Sequence, residues 1–150
     1  PHSVMQLELD TPSMYDTAAE NMGKVFIATE LSGGGTATAT TIAIAKKGIR
    51  NILRHTGITE GELEVAQTIN LDMPDDDCFV FSESDGLFEV CLDLGAEVKA
   101  GDLLGRVHDI KRTGAAPTDY YAKVDGIFTG RHFPGLIAMG DCLAVISVLV

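Results

Sequence analysis

The phrase Asp85-Gly86-Leu87-Phe88 recurs forty positions later as Asp125-Gly126-Ile127-Phe128. Further on, residues 98–104 (Val-Lys-Ala-Gly-Asp-Leu-Leu) recur thirty-nine positions later as residues 137–143 (Ile-Ala-Met-Gly-Asp-Cys-Leu), so a single deletion reconciles the two offsets. A repeated supersecondary unit buries its apolar face against its copy. The repeat therefore predicts a pseudo-twofold β-sandwich to which each copy supplies half of the strands.

The sequence around this repeat is typical of an all-β region. From Cys78 onward helical periodicity is absent, and short runs rich in β-branched and aromatic residues alternate with glycines. These runs predict strands at residues 78–83, 86–92, 103–110, 120–124, 127–133 and 142–149. We assign residues 77–150 to this β domain and residues 58–76, rich in Glu, Asp and Pro, to a connector with one strand at residues 64–70.

Residues 1–57 alternate strand and helix patterns, which predicts part of an α/β domain. Strand-like runs occupy residues 4–9 and 24–31, and Ser13 is placed to cap a short helix that runs through Asn21. A longer helix is expected from about Thr38 to His55, with Gly57 at its C′ position. Its apolar residues share one face, and its cations crowd the C-terminal half, where the helix dipole favours them. The apolar face comprises Ile42, Ala45, Ile49, Ile52 and Leu53, and the cations are Lys46, Lys47, Arg50 and Arg54.

A candidate active site follows the second strand-like run. Residues 25–35, Val-Phe-Ile-Ala-Thr-Glu-Leu-Ser-Gly-Gly-Gly, read as a buried strand that delivers Glu30 to a flexible glycine rim. Glu30 is the candidate acid/base, and Gly33 and Gly34 let backbone approach a substrate. The alternative, in which Glu30 is solvated and caps the next helix, stays open at this point. No Gly-Lys-Ser/Thr follows, which argues against a phosphate loop.

Composition narrows the class of partner. The chain has 150 residues, 45% of them hydrophobic, and a net charge of -11, whereas a nucleic-acid partner requires a basic face. We find no apolar run of membrane length and no signal peptide, and expect no membrane partner. Cys78, Cys91 and Cys142 lack Cys-x-x-Cys spacing and are expected to be reduced, buried core residues of a cytoplasmic protein. The chain opens without an initiator Met, and we expect it to be a piece of something longer.

The phrase at residues 95–104, Gly-Ala-Glu-Val-Lys-Ala-Gly-Asp-Leu-Leu, resembles the lipoyl and biotinyl carrier domains, which are barrel-sandwich hybrids. Carrier function needs a lysine at the tip of a tight hairpin between the two halves. The candidates are Lys111 and Lys123, and neither lies in such a turn. We therefore interpret the module as structural, with a modified lysine as a minor alternative.

A wider resemblance covers nearly the whole chain. Residues 29–35, followed by residues 43–53 (Ala-Ile-Ala-Lys-Lys-Gly-Ile-Arg-Asn-Ile-Leu) and the β module, resemble the C-terminal portion of the succinylglutamate desuccinylase and aspartoacylase family. The similarity is strongest to the branch containing the N-acetyl-diaminobutyrate deacetylases of ectoine breakdown. The resemblance implies the end of a carboxypeptidase-like α/β domain at residues 1–57, followed by a barrel-sandwich-hybrid β domain.

The resemblance also implies a reaction. Family members are zinc-dependent amide hydrolases, and Glu30 matches the glutamate that takes a proton from zinc-bound water and passes it to the leaving amine. Their zinc ligands are a His-x-x-Glu motif and a later His, and this chain contains no His-x-x-Glu. Its histidines, His2, His55, His108 and His132, are expected to be structural or solvated. We therefore expect zinc ligands upstream of this chain, and no activity from the chain alone.

The sequence differs from the aspartoacylases at one position that bears on the charge of the substrate. Aspartoacylases carry an arginine about ten residues before the catalytic glutamate, where this chain has Glu20, with Asp16 nearby. The two carboxylates favour a cationic N-acyl amino acid such as N-acetyl-diaminobutyrate, unless they are simply the solvated face of a short helix. The predicted function is thus a zinc-dependent deacylase of a small N-acyl amino acid, with homo-oligomerisation left open. The alternative is a non-catalytic binding or assembly module.

Overall fold

The computed structural model describes residues 2–5, 14–31 and 33–150, with side chains described only from residue 14 onward. The chain divides into two compact units, one of residues 1–7 with 68–150 and one of residues 8–67. We call them the β unit and the α unit. The domain boundaries predicted from sequence, at 1–57, 58–76 and 77–150, stay a prediction about the domains of the whole protein.

The β unit contains two sheets. The first has the strand order β1-β2-β10-β8-β5, with β3 also paired to β10, and the second has the order β7-β6-β4-β9. The β1–β2 pair is parallel and every other pair is antiparallel. The strands are β1 (His2–Met5), β2 (Thr68–Asp72), β3 (Phe79–Phe81), β4 (Gly86–Val90), β5 (Glu97–Val98), β6 (Leu103–His108), β7 (Thr118–Tyr121), β8 (Gly126–Arg131), β9 (Leu136–Ile137) and β10 (Cys142–Leu149), with a 3₁₀ turn at Asp76–Cys78.

The pairing confirms the predicted repeat. Strand β4 pairs with β6 of its own copy and with β9 of the other copy, whereas β8 pairs with β10 of its own copy and with β5 of the other. The registers match: Gly86 lies opposite Ile137, and Gly126 lies opposite Val98. Each copy therefore lends one short strand to the other, as a pseudo-twofold arrangement requires.

The Asp-Gly turns also occupy equivalent places. Asp85 Oδ1 accepts a hydrogen bond from the Met139 N–H at 3.1 Å, and Asp125 Oδ1 accepts one from the Ala100 N–H at 2.9 Å. A Cβ on Gly86 would lie 2.5 Å from the His108 carbonyl oxygen, and one on Gly126 would lie at the same distance from that of Ser147. A side chain at either position would collide with backbone, so glycine is required there twice.

The core of the unit lies among the strands of the two copies. Its buried members are apolar, and burying them supplies the stability of a sandwich. They are Val80, Phe88, Val98, Leu104, Val107, Tyr120, Ala122, Phe128, Ile137, Leu143, Ala144 and Ile146. All three cysteines are free thiols, and Cys78 is buried as predicted. Cys91 and Cys142 are only half-buried, so the predicted full burial is wrong for these two.

Several strand boundaries differ from the predicted ones. The connector strand predicted at residues 64–70 is β2 at Thr68–Asp72, because Leu71 enters the interior and β2 pairs with β1 and β10 there. The first predicted strand begins earlier, as β1, and its residues 6–9 lie outside the described part. Strands β5 and β9, of two residues each, are too short for any periodicity to reveal.

The α unit contains two helices. Helix α1 (Tyr15–Asn21) confirms the short predicted helix, but its N-cap is Met14, and Ser13 lies outside the described residues. Helix α2 (Ala39–His55) confirms the long one. Thr38 and Thr41 bond reciprocally at its start. At its end Gly57, with φ +74°, donates to the Arg54 carbonyl, and Ile58 donates to that of Leu53, which is a Schellman closure.

One expectation about this unit is wrong. Residues 24–31 form no strand, and Val25 and Ile27 are 98% and 67% exposed instead of covered. Part of the apolar stripe of α2 is exposed in this chain as well, with Ile49 58% exposed. A central strand needs neighbours for its N–H and C=O groups, and a helix stripe needs a layer to pack on. The described residues of the α unit supply neither.

Candidate functional site

Glu30, the predicted acid/base, stands in the extended segment of residues 24–31. Its side chain is exposed, and no hydrogen bond or ion pair joins its carboxylate to any described residue. The predicted delivery of this acid by a buried strand is therefore wrong for this chain, because the segment has no strand partner among the described residues. The role of Glu30 itself stays a prediction.

The glycines after Glu30 form a defined turn rather than a flexible rim. The Gly33 carbonyl accepts from the Thr36 N–H at 3.2 Å and from the Thr36 hydroxyl at 2.8 Å. Between them, Gly34 and Gly35 have φ values of +61° and +67°, as in a type I′ turn. A side chain at either position would be strained, so the glycines specify the chain reversal that leads into α2.

The acidic pair predicted to bind substrate lies on α1. Asp16 and Glu20 are four residues apart and share one face of the helix. Two contacts join α1 to the first residues of the segment 24–31. The ring centroids of Tyr15 and Phe26 lie 5.5 Å apart, and the Lys24 N–H donates to the Ala19 carbonyl at 3.0 Å. The structure describes no contact that joins Asp16 or Glu20 to Glu30, Gly33 or Gly34. Substrate binding by these four stays a prediction.

Arg54 and Asn51 have a structural task that the sequence did not reveal. Asn51 exchanges two 3.0 Å hydrogen bonds with the backbone of Glu64. Arg54 donates to the Glu62 carbonyl at 2.8 Å and forms an ion pair with the Glu64 carboxylate at 3.3 Å. Both side chains fasten the connector to α2. Three of these four contacts are to backbone atoms, which carry no residue-specific signal in the sequence.

The described side chains do not form a zinc site. Zinc requires three or more His, Cys, Asp or Glu side chains that converge, and no such group occurs from residue 14 onward. His108 Nε2 lies 2.6 Å from a Glu89 carboxylate oxygen, His132 is bonded to the Pro134 carbonyl, and His55 is exposed at the end of α2. The side chain of His2 lies outside the described part.

Two of the carboxylates with a clear pKa shift lie in the Asp-Gly turns of the β unit. The Met139 N–H and then Lys111 lower the pKa of Asp85, and the Ala100 N–H and then Lys99 lower the pKa of Asp125. Burial raises the pKa of the Cys142 thiol. Shifted pKa values often mark active sites. Here the two carboxylates stabilise equivalent turns of the repeat, so their lowered pKa values have a structural explanation and do not indicate an active site.

The candidate carrier lysines are engaged in ion pairs. Lys111 lies in the connection between β6 and β7, with Nζ 3.5 Å from Asp85 Oδ2, and Lys123 Nζ lies 3.5 Å from Asp77 Oδ1.

An open groove of about 410 Å³ also lies in the β unit, lined by Glu97, Val98, Lys99, Asp125, Gly126, Ile127 and Leu149. None of the predicted site residues lines it.

Searches against known proteins give consistent relatives. The chain is 47% identical, over its full length, to N-alpha-acetyl-L-2,4-diaminobutyric acid deacetylase of Halomonas elongata, of which it covers 44%. A product-bound structure of the ectoine utilization protein EutE (DoeB) from Ruegeria pomeroyi is 57% identical, with a TM-score of 0.92 over 97% of this chain and 45% of that one. A succinylglutamate desuccinylase from a Silicibacter species is 54% identical, with a TM-score of 0.89 over 99% of this chain and 45% of that one.

The chain thus spans less than half the length of these relatives and corresponds to a C-terminal region of them. A succinylglutamate desuccinylase/aspartoacylase structure from Rhodobacter sphaeroides, 32% identical, has the same fold over 92% of this chain, with a TM-score of 0.87. No protein-family model matches the chain. No helix in the described ranges is long and apolar enough to cross a membrane.

Proposed function

We propose, on the premise that this chain is a homologue of the succinylglutamate desuccinylase/aspartoacylase proteins, that the whole protein hydrolyses an N-acyl amino acid. The observation that carries the proposal is the sequence identity to N-alpha-acetyl-L-2,4-diaminobutyric acid deacetylase. This identity is 47% and extends over the whole of this chain. The amide bond is broken by water and yields a carboxylate and an amine.

In this reaction Glu30 is the proton carrier. It accepts a proton from the attacking water and gives one to the leaving amine nitrogen, so that the carbon–nitrogen bond breaks without forming an unstable amide anion. Two features support this role. The carboxylate is exposed and bonded to no described residue, and the turn closed by Thr36 follows three positions later. A free carboxylate can bind water, whereas one committed to an ion pair would have to break that pair first.

The α unit is proposed to be completed by the part of the protein that its relatives have beyond this chain. Val25, Ile27 and the apolar stripe of α2 are exposed here, and about half of each relative lies outside the match. We propose that residues 24–31 become a strand of a carboxypeptidase-like sheet, with α2 packed on it. In the same reading the β unit is a barrel-sandwich hybrid with a structural role.

Zinc is proposed for the whole protein on family grounds alone. Because the described residues of this chain do not converge on a metal, its ligands would come from elsewhere in the protein. We likewise propose a cytoplasmic location.

Replacing Glu30 by Gln in the whole protein tests the proposal. Turnover of the N-acyl amino acid should fall about a hundredfold or more, because the amide cannot carry the proton. Metal content and melting temperature should not change. Glu60→Gln, which alters another exposed glutamate outside the site, is the matched control and should retain full turnover. Near-normal turnover of the Glu30 variant would contradict the assignment, and a whole protein without any deacylase activity would favour a binding module.

Asp16 and Glu20 are proposed to favour a cationic substrate. Neither carboxylate has a cationic partner among the described residues, and a like charge in a partly desolvated cleft is costly. The whole protein should prefer N-acetyl-diaminobutyrate to N-acetylaspartate in kcat/KM by about tenfold or more, equivalent to about 1.4 kcal/mol. Glu20→Gln should reduce this ratio. A preference for the dicarboxylate would refute the idea.

A further inference from the structure

The turn that follows Glu30 is closed by two donors of one residue. The Thr36 N–H donates to the Gly33 carbonyl oxygen at 3.2 Å, and the Thr36 hydroxyl donates to the same oxygen at 2.8 Å. A carbonyl oxygen has two lone pairs and can accept both bonds. The N–H bond is at the long end of the usual range, whereas the hydroxyl bond has the optimal length. The side chain of Thr36 therefore carries much of the closure of this turn.

Little else restrains these glycines among the described residues. Gly34 and Gly35 have φ values of +61° and +67°, and glycine loses more conformational freedom than any other residue when it is fixed. Apart from their chain neighbours, no heavy atom lies within 4 Å of the position that a Cβ on Gly33 or Gly35 would occupy. Because nothing described packs on the turn there, the bonds from Thr36 are the main restraint on its shape.

The turn joins Glu30 to a regular element. Helix α2 begins at Ala39, and Thr38 and Thr41 bond reciprocally at its start. Glu30 lies three residues before Gly33, a separation that an extended chain spans in at most about 11 Å. A change in the shape of the turn therefore alters where the backbone of Glu30 lies relative to the start of α2.

The carboxylate of Glu30 has no side-chain partner among the described residues that could hold it in place. Its position is therefore set by the main chain on either side. On the C-terminal side, the bonds of the turn close within four residues, so they form whatever else covers residues 24–31 in the whole protein. An acid/base must lie within hydrogen-bond reach of the proton that it moves, and a misplacement of about 1 Å can slow a reaction about a hundredfold.

We propose that Thr36 is a positioning residue for Glu30. Its hydroxyl fixes the glycine turn, and the turn fixes the direction in which the backbone of Glu30 enters from the start of α2. In this role Thr36 touches neither the substrate nor the reacting atoms. The inference rests on the proposed function, because it requires Glu30 to be the proton carrier. Thr38, two residues further on, caps α2 and provides a matched comparison.

Three single variants of the whole protein test this role, with turnover of N-acetyl-diaminobutyrate as the measurement. Thr36→Val keeps the shape of the side chain but removes the hydroxyl, and it should lower kcat about tenfold while KM changes less than about twofold. Thr36→Ser retains a hydroxyl and should keep kcat within about twofold of the wild type. Thr38→Val removes a helix cap instead, so it should lower the melting temperature but keep most of kcat.

Two results from these single variants overturn the proposal. One is a wild-type kcat in Thr36→Val. The other is an equal loss of kcat in Thr36→Val and in either Thr36→Ser or Thr38→Val, because the loss would then not depend on the Thr36 hydroxyl or would reflect a general loosening of the start of α2.

A double variant shows whether Thr36 acts through Glu30. If it does, Glu30→Gln combined with Thr36→Val should be no slower than Glu30→Gln alone, because the group that is positioned is already absent. Losses that multiply overturn the proposal. The two assignments also fail in different ways. If Glu30→Gln loses turnover and Thr36→Val does not, only the role of Thr36 is refuted, whereas near-normal turnover of Glu30→Gln refutes the proposed role of Glu30 and this inference with it.

Discussion

The β unit and the α unit use apolar residues of the same kinds with opposite outcomes. In the β unit Phe128, Leu104 and Ile146 are fully buried, whereas in the α unit none of the described residues 14–67 is buried. The difference lies in partners. The strands of each repeat copy pair with strands of the same chain. Residues 24–31 and the apolar stripe of α2 have no such partner among the described residues.

The largest expected contrast is between a core residue and an exposed residue of similar character. Phe128→Ala should lower the free energy of unfolding of this chain by about 3–5 kcal/mol, because a cavity forms among both copies of the repeat. Ile27→Ala should change it by no more than about 0.5 kcal/mol. Denaturant unfolding followed by tyrosine fluorescence and circular dichroism measures both.

The same Ile27 substitution in the whole protein sharpens the comparison. If residues 24–31 become a covered strand there, Ile27→Ala should cost about 2–5 kcal/mol in that context. An equal, small effect in both contexts would contradict the proposed completion of the α unit.

A smaller contrast concerns glycine. Gly126→Ala should destabilise the chain by about 1–3 kcal/mol, because the new Cβ would lie 2.5 Å from the Ser147 carbonyl oxygen. Gly48→Ala, in the middle of α2 with no atom within 4 Å of its Cβ, should stabilise it by about 0.5–1 kcal/mol. Thermal melts of the two variants would show shifts of opposite sign, and shifts of one sign would refute the difference in packing.

The smallest expected effect is on acid stability. The Ala100 N–H and Lys99 lower the folded-state pKa of Asp125, so this carboxylate stabilises the fold above its unfolded pKa of about 3.9, and the stabilisation is lost as pH falls through the lowered folded value. Asp125→Asn should therefore flatten the fall of the melting temperature below about pH 4. Glu60→Gln is the control and should leave the curve unchanged.

Much of this architecture was readable in the sequence. The duplication of Asp-Gly turns predicted two related copies, and the register of Gly86 against Ile137 and of Gly126 against Val98 confirms them. The limits of α2 were predicted closely because its signals are local: Thr38 caps one end, and Gly57 closes the other with a positive φ. For the candidate site, the sequence singled out Glu30 and the glycines, but not the Thr36 turn that fixes those glycines.

The sequence by itself determined the elements whose hydrogen bonds close within a few residues, and the two-copy plan of the β unit. Only the tertiary structure decided that β5 and β9 are exchanged between copies. It also decided that residues 24–31 stay uncovered in this chain. The physical reason is the same in each case: strand pairing and side-chain contacts depend on segments far apart in the chain, and an apolar run becomes a buried strand only where a partner satisfies its backbone.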